Sequence, residues 1–198
     1  MNGTPKTPKD YEVVAGTQLC GGKAVSVDAS RALKVITGMS RFEASAEEYT
    51  VAQAAADLIQ SFPVTTVGRE DVCRVYTPIG KPDFDLRITW RLVDGASSDE
   101  PAAPKFTVLK MGEEALAAED MAYLQFACRS EKLLNASSVA HIVIGVQHWA
   151  VPTEPEGDVE VLKDAYATVA HSVSLAMAKE LGCEDDGGLP AQPVLDPA

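Results

Sequence analysis

The residues of this chain that are best suited to chemistry are its four cysteines. Each falls at the edge of a predicted element or inside one, at Cys20, Cys73, Cys128 and Cys183. None of them forms the C-x-x-C spacing of a metal or redox site. An even number of cysteines placed in this way favours two disulfides across one folded unit, which is typical of exported proteins.

A second interpretation makes the cysteines reduced thiols that pack as small hydrophobic side chains. Cys20 is then the candidate nucleophile, because the glycines after it, Gly21 and Gly22, could offer backbone amides to an oxyanion. A histidine from elsewhere in the fold would have to act as the base. Under this alternative, the protein is a cytosolic enzyme or regulatory subunit.

The three histidines do not form a metal-binding pattern. His141 and His148 are seven residues apart on one predicted strand, so they face opposite sides of the sheet, and His171 lies on the last predicted helix. No H-x-x-x-H spacing occurs. We therefore expect neither a metal nor a cofactor.

A candidate ligand-binding site follows the most apolar predicted strand. His148, Trp149 and Pro152 place an aromatic ring at a strand end beside a proline-containing loop, where binding groups often gather. The competing interpretation is that Trp149 closes the edge of the core.

The charge of the chain limits its partners. The formal net charge is -12, and the densest groups of basic residues are pairs such as Lys6 and Lys9. Both observations argue against nucleic acid and anionic membrane surfaces as partners. No apolar run approaches the roughly 18 residues of a membrane span, and the residues after Met1 lack the apolar region of a signal peptide. Either the chain is cytosolic, or an upstream anchor has been removed and the first residues are a linker remnant.

Hydrophobic periodicity predicts helices at three places. These are Ser26–Gly38, a helix that begins at a capping box of Ser45 and Glu48 and ends at Pro63, and a long helix from Asp158 to Gly182. Strands are predicted at 72–77, 84–93, 106–111, 121–130 and 138–149, the last two as a hairpin, with a turn or helical stub at 113–120.

Residues 84–93 alternate most clearly, with Arg87, Thr89 and Arg91 on the solvent side, which indicates an antiparallel sheet with one covered face. The fold class is thus α+β, a single antiparallel sheet with helices packed on one face. We expect a linker at 1–15, one domain at 16–183 and a disordered acidic tail at 184–198.

The layout also resembles a known group of proteins. Leu19-Cys20 precedes a helix that ends in Thr37-Gly38, a Cys73-Arg-Val-Tyr76 strand start follows, and the terminal helix closes near Cys183. This resembles the secreted and lipoprotein ectodomains of unknown function in actinobacteria, several of which have a PsbP-like α/β sandwich. Of the three connectivities that four cysteines permit, the resemblance and the chain order favour Cys20–Cys73 and Cys128–Cys183. Such families have no established catalytic residues, so the resemblance implies none in this chain.

These observations predict a binding or interaction module of the cell envelope, without catalysis. We expect it to be extracytoplasmic and monomeric, either secreted or a membrane-anchored ectodomain whose anchor has been removed. Its partner would be an envelope protein or a small-molecule ligand.

Overall fold

The computed structural model describes residues 12–62, 67–78, 85–98, 100–133, 138–148 and 155–198. The helices are α1 (Val27–Thr37), α2 (Val51–Ser61) and α3 (Val159–Leu181). The strands are β1 (Val13–Ala15), β2 (Arg41–Glu43), β3 (Val67–Tyr76), β4 (Asp85–Val93), β5 (Thr107–Leu109), β6 (Glu114–Ala117), β7 (Met121–Arg129) and β8 (Val139–His148).

Helices α1 and α3 begin and end at the residues that local chemistry favours. The Ser26 hydroxyl accepts a hydrogen bond from the Ala29 amide at the start of α1, and Asp158 accepts two backbone hydrogen bonds at the start of α3. Gly38 and Gly182 follow the two helices in the left-handed conformation. Both predicted helices are confirmed.

Helix α2 starts later than predicted, so the expected capping box of Ser45 and Glu48 is wrong. Thr50 caps the helix instead, accepting a hydrogen bond from the amide of Gln53. Ser45 accepts a hydrogen bond from the amide of Cys20 at 2.9 Å. Ser45 and Thr50 are each followed three positions later by Glu or Gln, so both fit the sequence pattern of a helix cap. The hydroxyl of Ser45 is used by Cys20, and Thr50 is the cap.

The strands form two antiparallel sheets, which corrects the prediction of a single sheet. The larger has the order β3-β4-β8-β7-β6-β5, and β1 pairs with β2 in a separate two-stranded sheet. Strand β1 lies within the expected 1–15 linker. Strands of three residues are too short to show an alternating pattern, which is why the sequence did not indicate them.

Strand β6 is a second correction. Residues 113–120 were expected to form a turn or helical stub, because their Ala and Glu content favours helix. They instead contribute β6, which pairs with β5 on one side and β7 on the other. Pairing with neighbouring strands overrides the local preference. The predicted hairpin of β7 and β8 is confirmed.

The helices cover one face of the large sheet. Helix α3 packs on β6, β7 and β8, α2 packs on β3 and α3, and α1 packs against α3. The side of β4 that was predicted to be buried does contribute to the core: Leu86, Ile88, Trp90 and Leu92 are each at most 2% exposed. The fold class is therefore α+β.

The opposite face of the sheet is only partly open. Arg91 is exposed, but Arg87 pairs with Asp71 on β3, and Thr89 is 4% exposed because it lies beside Gly145 and Tyr123. The expectation that all three solvent-side residues of β4 are exposed is thus met at Arg91 and not at Thr89.

The chain after α3 is ordered, contrary to the expected disordered tail at 184–198. Leu189 is buried, the Val194 amide donates to the sulfur of Met111, and the Ala198 amide donates to the carbonyl of Val108 on β5. The apolar residues of this part of the chain, Leu189, Val194 and Leu195, pack against the rest of the domain. We call residues 189–198 the C-terminal segment.

Two disulfides join the ends of the domain to the sheet. Cys20 is bonded to Cys73 on β3, and Cys128 on β7 is bonded to Cys183 after α3, with Cα separations of 5.6 Å and 5.0 Å. This is the connectivity that the resemblance and chain order favoured.

Candidate functional site

The ligand-binding residues predicted from the sequence lie at the end of β8. His148 is the last residue of that strand, and its amide donates to the carbonyl of Asp120 at 3.1 Å. Trp149 and Pro152 lie outside the described residues. A site at this loop therefore stays a prediction.

Cys20 is not available as a nucleophile in this structure. Its sulfur is bonded to that of Cys73, and the residue is 1% exposed. Since the thiolate is the reactive form of cysteine, a disulfide at this position offers none.

The histidines lie apart from one another. The Nδ1 atom of His141 is 2.9 Å from a carboxylate oxygen of Glu113, a contact on the face of the sheet away from the helices. Within the described ranges, no three His, Cys, Asp or Glu residues come close enough together to hold a metal ion.

A cavity of about 430 Å³ lies between the start of α1, one side of α3 and the C-terminal segment. It is lined from α3 by residues 168–179, from the chain around α1 by residues 22–28, and from the C-terminal segment by residues 191–193. We call it the α1–α3 cavity. Its volume lies in the range of small-molecule sites, roughly 300 to 1,000 Å³.

Ser172 connects two of the walls of this cavity. Its hydroxyl donates to the carbonyl oxygen of Ala24 at 2.7 Å and accepts from the amide of Ser26 at 2.9 Å. Both bonds reach the residues just before α1, 146 and 148 positions away in the chain. The position of α1 relative to α3 is thus held by a buried hydroxyl that the cavity also contacts.

His171 connects α3 to the third wall. It is 4% exposed, and its Nε2 atom lies 2.7 Å from the carbonyl oxygen of Pro190. A carbonyl oxygen only accepts hydrogen bonds, so Nε2 carries the proton. Burial lowers the pKa of His171 from its usual 6.5, the hydrogen bond to Pro190 partly opposing this, and the neutral imidazole is favoured.

The C-terminal segment is anchored at both of its ends. At its start Leu189 is buried and the Pro190 carbonyl accepts a hydrogen bond from His171, and at its end the amide of Ala198 donates to the carbonyl of Val108. Residues 191–193, which line the cavity, lie between these anchors in the chain. The third wall is thus a short segment held at two ends.

Charged groups at the cavity are mainly basic. Lys23 and Lys179 contribute to its lining, together with Asp28, whose carboxylate accepts a hydrogen bond from Nη1 of Arg31 at 3.0 Å. The chain as a whole carries a formal charge of -12. Two of the three charged residues of the lining are thus basic, unlike the average composition of this protein.

Sequence reasoning missed this cavity. It placed His171 on the last helix but gave it no partner, and it assigned no structure to the chain that contacts it. The available signal was the apolar character of Leu189, Val194 and Leu195, in the chain that follows Cys183.

Comparison with known proteins yields no relative: no family model, no curated protein and no solved structure matches this chain. Among the described residues, no helix has the length and apolar character needed to cross a bilayer.

Proposed function

We propose that this protein is an extracytoplasmic binding module of the cell envelope that holds a small molecule in the α1–α3 cavity and performs no catalysis. The observation that carries the proposal is the cavity itself, because three separate parts of the chain converge on it and buried polar side chains line it. A concave site with a few fixed polar groups is the usual form of a small-molecule site.

The two disulfides support the assignment to an oxidising compartment. Such bonds form and persist in secreted and envelope proteins and are reduced in most cytosolic ones. The proposal also retains the resemblance to actinobacterial secreted and lipoprotein ectodomains. The alternative, an enzyme with Cys20 as nucleophile, has no observation in its favour.

Ligand retention tests the proposal. The purified protein is incubated with a metabolite extract, separated from unbound compounds, and examined by native mass spectrometry. Ala176→Phe places a ring in the cavity wall, whereas Ala56→Phe makes the same change on the exposed side of α2. We expect the wild type and Ala56→Phe to retain the same compound and Ala176→Phe to lose it.

Two results would contradict the proposal. One is retention of no compound by the wild-type protein, and the other is equal retention by a correctly folded Ala176→Phe variant. The compartment is tested separately, by alkylating protein isolated from its native cells without reductant. Protection of all four cysteines is expected, and four alkylated cysteines would point to the cytosol.

A further inference from the structure

We propose that the ligand of the α1–α3 cavity is a small organic molecule that carries an oxyanion, a carboxylate or phosphate, and at least one hydrogen-bond donor. Lys23 and Lys179 bind the oxyanion, and Nδ1 of His171 accepts from the donor. This inference rests on the proposed function and names the chemistry of the ligand.

The two lysines provide the first argument. They come from different parts of the chain, Lys23 before α1 and Lys179 in the last turn of α3, yet both line the cavity. Within the described parts of the chain, neither side chain forms an ion pair or hydrogen bond. Lys105 and Lys163 have acidic partners, whereas the exposed Lys34 and Lys110 have none among the described residues. Lys23 and Lys179, which are also exposed, differ from that second pair in that both line the cavity.

The acidic group of the cavity lining, Asp28, forms its ion pair with Arg31, one turn further along α1, and not with either lysine. Two of the three charged residues of the lining are therefore cations, in a protein whose net charge is strongly negative. A cleft with an excess of one sign of charge attracts ligands of the opposite sign.

His171 provides the second, independent argument. Its Nε2–H is used by Pro190, and its Nδ1 makes no hydrogen bond to any described residue. Because Nε2 carries the proton of the neutral ring, Nδ1 is an acceptor. His171 lines the cavity, and its Nδ1 is accessible, since it is not one of the buried side-chain atoms without a partner. An accessible acceptor at the cavity suits a ligand that donates, such as a hydroxyl or an amide N–H.

The remaining lining suits the carbon skeleton of such a molecule. Val25, Leu175 and Pro193 contribute apolar surface from the three walls. The cavity thus combines a cationic group of residues, one acceptor and apolar contacts. A simple inorganic anion would use only the first of these.

Matched pairs of compounds test the inference. Hydroxylated carboxylic acids are compared with their carboxamides, and hydroxylated phosphate monoesters with the parent alcohols, by titration into ¹⁵N-labelled protein. We expect the acids or the phosphates to shift the amide signals of the cavity lining, with affinity about tenfold above that of the neutral member. Which series binds more tightly identifies the oxyanion.

Variants separate the site from general charge effects. Lys23→Gln with Lys179→Gln should lower the affinity for the charged compounds about tenfold and leave the neutral ones unchanged. The control pair, Lys34→Gln with Lys110→Gln, removes the same charge from exposed lysines outside the cavity and should have no such effect.

Ring ¹⁵N spectra report on the histidine. The free protein should show His171 protonated at Nε2, and binding should move its Nδ1 signal while that of His141 stays in place. A bound compound that leaves the His171 signal unmoved would overturn the role of Nδ1.

Equal binding of charged and neutral members would overturn the ligand class while leaving a binding cavity. Failure of both series to shift the cavity amides would also overturn it. The comparison of Ala176→Phe with Ala56→Phe then shows independently whether the cavity binds anything.

Discussion

The imidazole of His171 and the carbonyl of Pro190 are joined by a hydrogen bond of 2.7 Å between α3 and the C-terminal segment. The bond links the buried side of the longest helix to the wall of the α1–α3 cavity. A change at this hydrogen bond should therefore affect both the free energy of unfolding and the position of the segment that lines the cavity.

The titration of His171 should make the protein less stable at mildly acidic pH. Burial lowers its folded-state pKa below the 6.5 expected for the unfolded chain, so the unfolded state binds the proton more tightly. The free energy of unfolding should thus fall as pH decreases from 6.5 to the folded-state pKa. The other charged groups lining the same cavity are Lys23, Asp28 and Lys179.

His171→Gln isolates this effect, because glutamine retains an N–H donor for Pro190 but does not titrate. Urea unfolding at several pH values should show a shallower loss of stability for the variant as the pH falls below 6.5. Identical slopes for the two proteins would show that His171 does not contribute.

Docking of the chain after Cys183 depends on one of two adjacent glycines. Gly187 and Gly188 have nearly the same left-handed conformation, with φ of 69° and 71°. A Cβ at Gly187 would lie 2.7 Å from the ring of Phe126, whereas a Cβ at Gly188 would meet nothing within 4 Å.

Alanine at either glycine should therefore cost about 1–2 kcal/mol for the backbone conformation. Gly187→Ala should cost a further 1–3 kcal/mol or so, because Phe126 is fully buried and cannot move aside easily. The midpoints of urea unfolding measure the difference. Equal costs would mean that the turn does not pack on Phe126.

The two disulfides should stabilise the fold by similar amounts. Their sequence separations are 53 and 55 residues, and closure of such loops in the unfolded chain corresponds to about 4 kcal/mol for each bond. Paired alanine variants, Cys20 with Cys73 and Cys128 with Cys183, should each lower the free energy of unfolding by about that amount.

Cys183 lies shortly before the C-terminal segment, whereas Cys20 lies just before Gly22, in the wall at the start of α1. Loss of Cys128–Cys183 should therefore also increase amide exchange in the C-terminal segment, and loss of Cys20–Cys73 should leave that exchange unchanged. The opposite pattern would contradict the proposed anchoring.

Trp90 should tolerate replacement by phenylalanine. It is 1% exposed, and its indole Nε1 makes no hydrogen bond within the described part of the chain. Trp90→Phe loses apolar contact but also removes a buried donor that costs about 1–3 kcal/mol. We expect a net loss below about 1.5 kcal/mol, against about 3–5 kcal/mol for Trp90→Ala. Similar losses in thermal unfolding would argue against an unsatisfied donor.

Local patterns accounted for much of the fold. The alternation of Leu86, Ile88, Trp90 and Leu92 indicated the buried side of β4, and Asp158 and Gly182 marked the two ends of α3. These features depend on residues a few positions apart, which a sequence displays directly.

Features that depend on distant partners were the ones that sequence did not reveal. Taken alone, residues 113–120 favour a turn or a helix. They form β6 because β5 and β7 pair with them on either side. Ser45 satisfied a local capping pattern, but its hydroxyl bonds to the amide of Cys20, 25 residues away.

By itself, then, the sequence determined the α+β fold class, most of the long helices and strands, and an acidic character that predicts against polyanion partners. The tertiary structure decided that the chain after Cys183 is a wall and not a tail, and that His171, Lys23 and Lys179 share a cavity. The reason is physical: periodicity and capping are local, whereas a cavity exists only where segments far apart in the chain pack against one another.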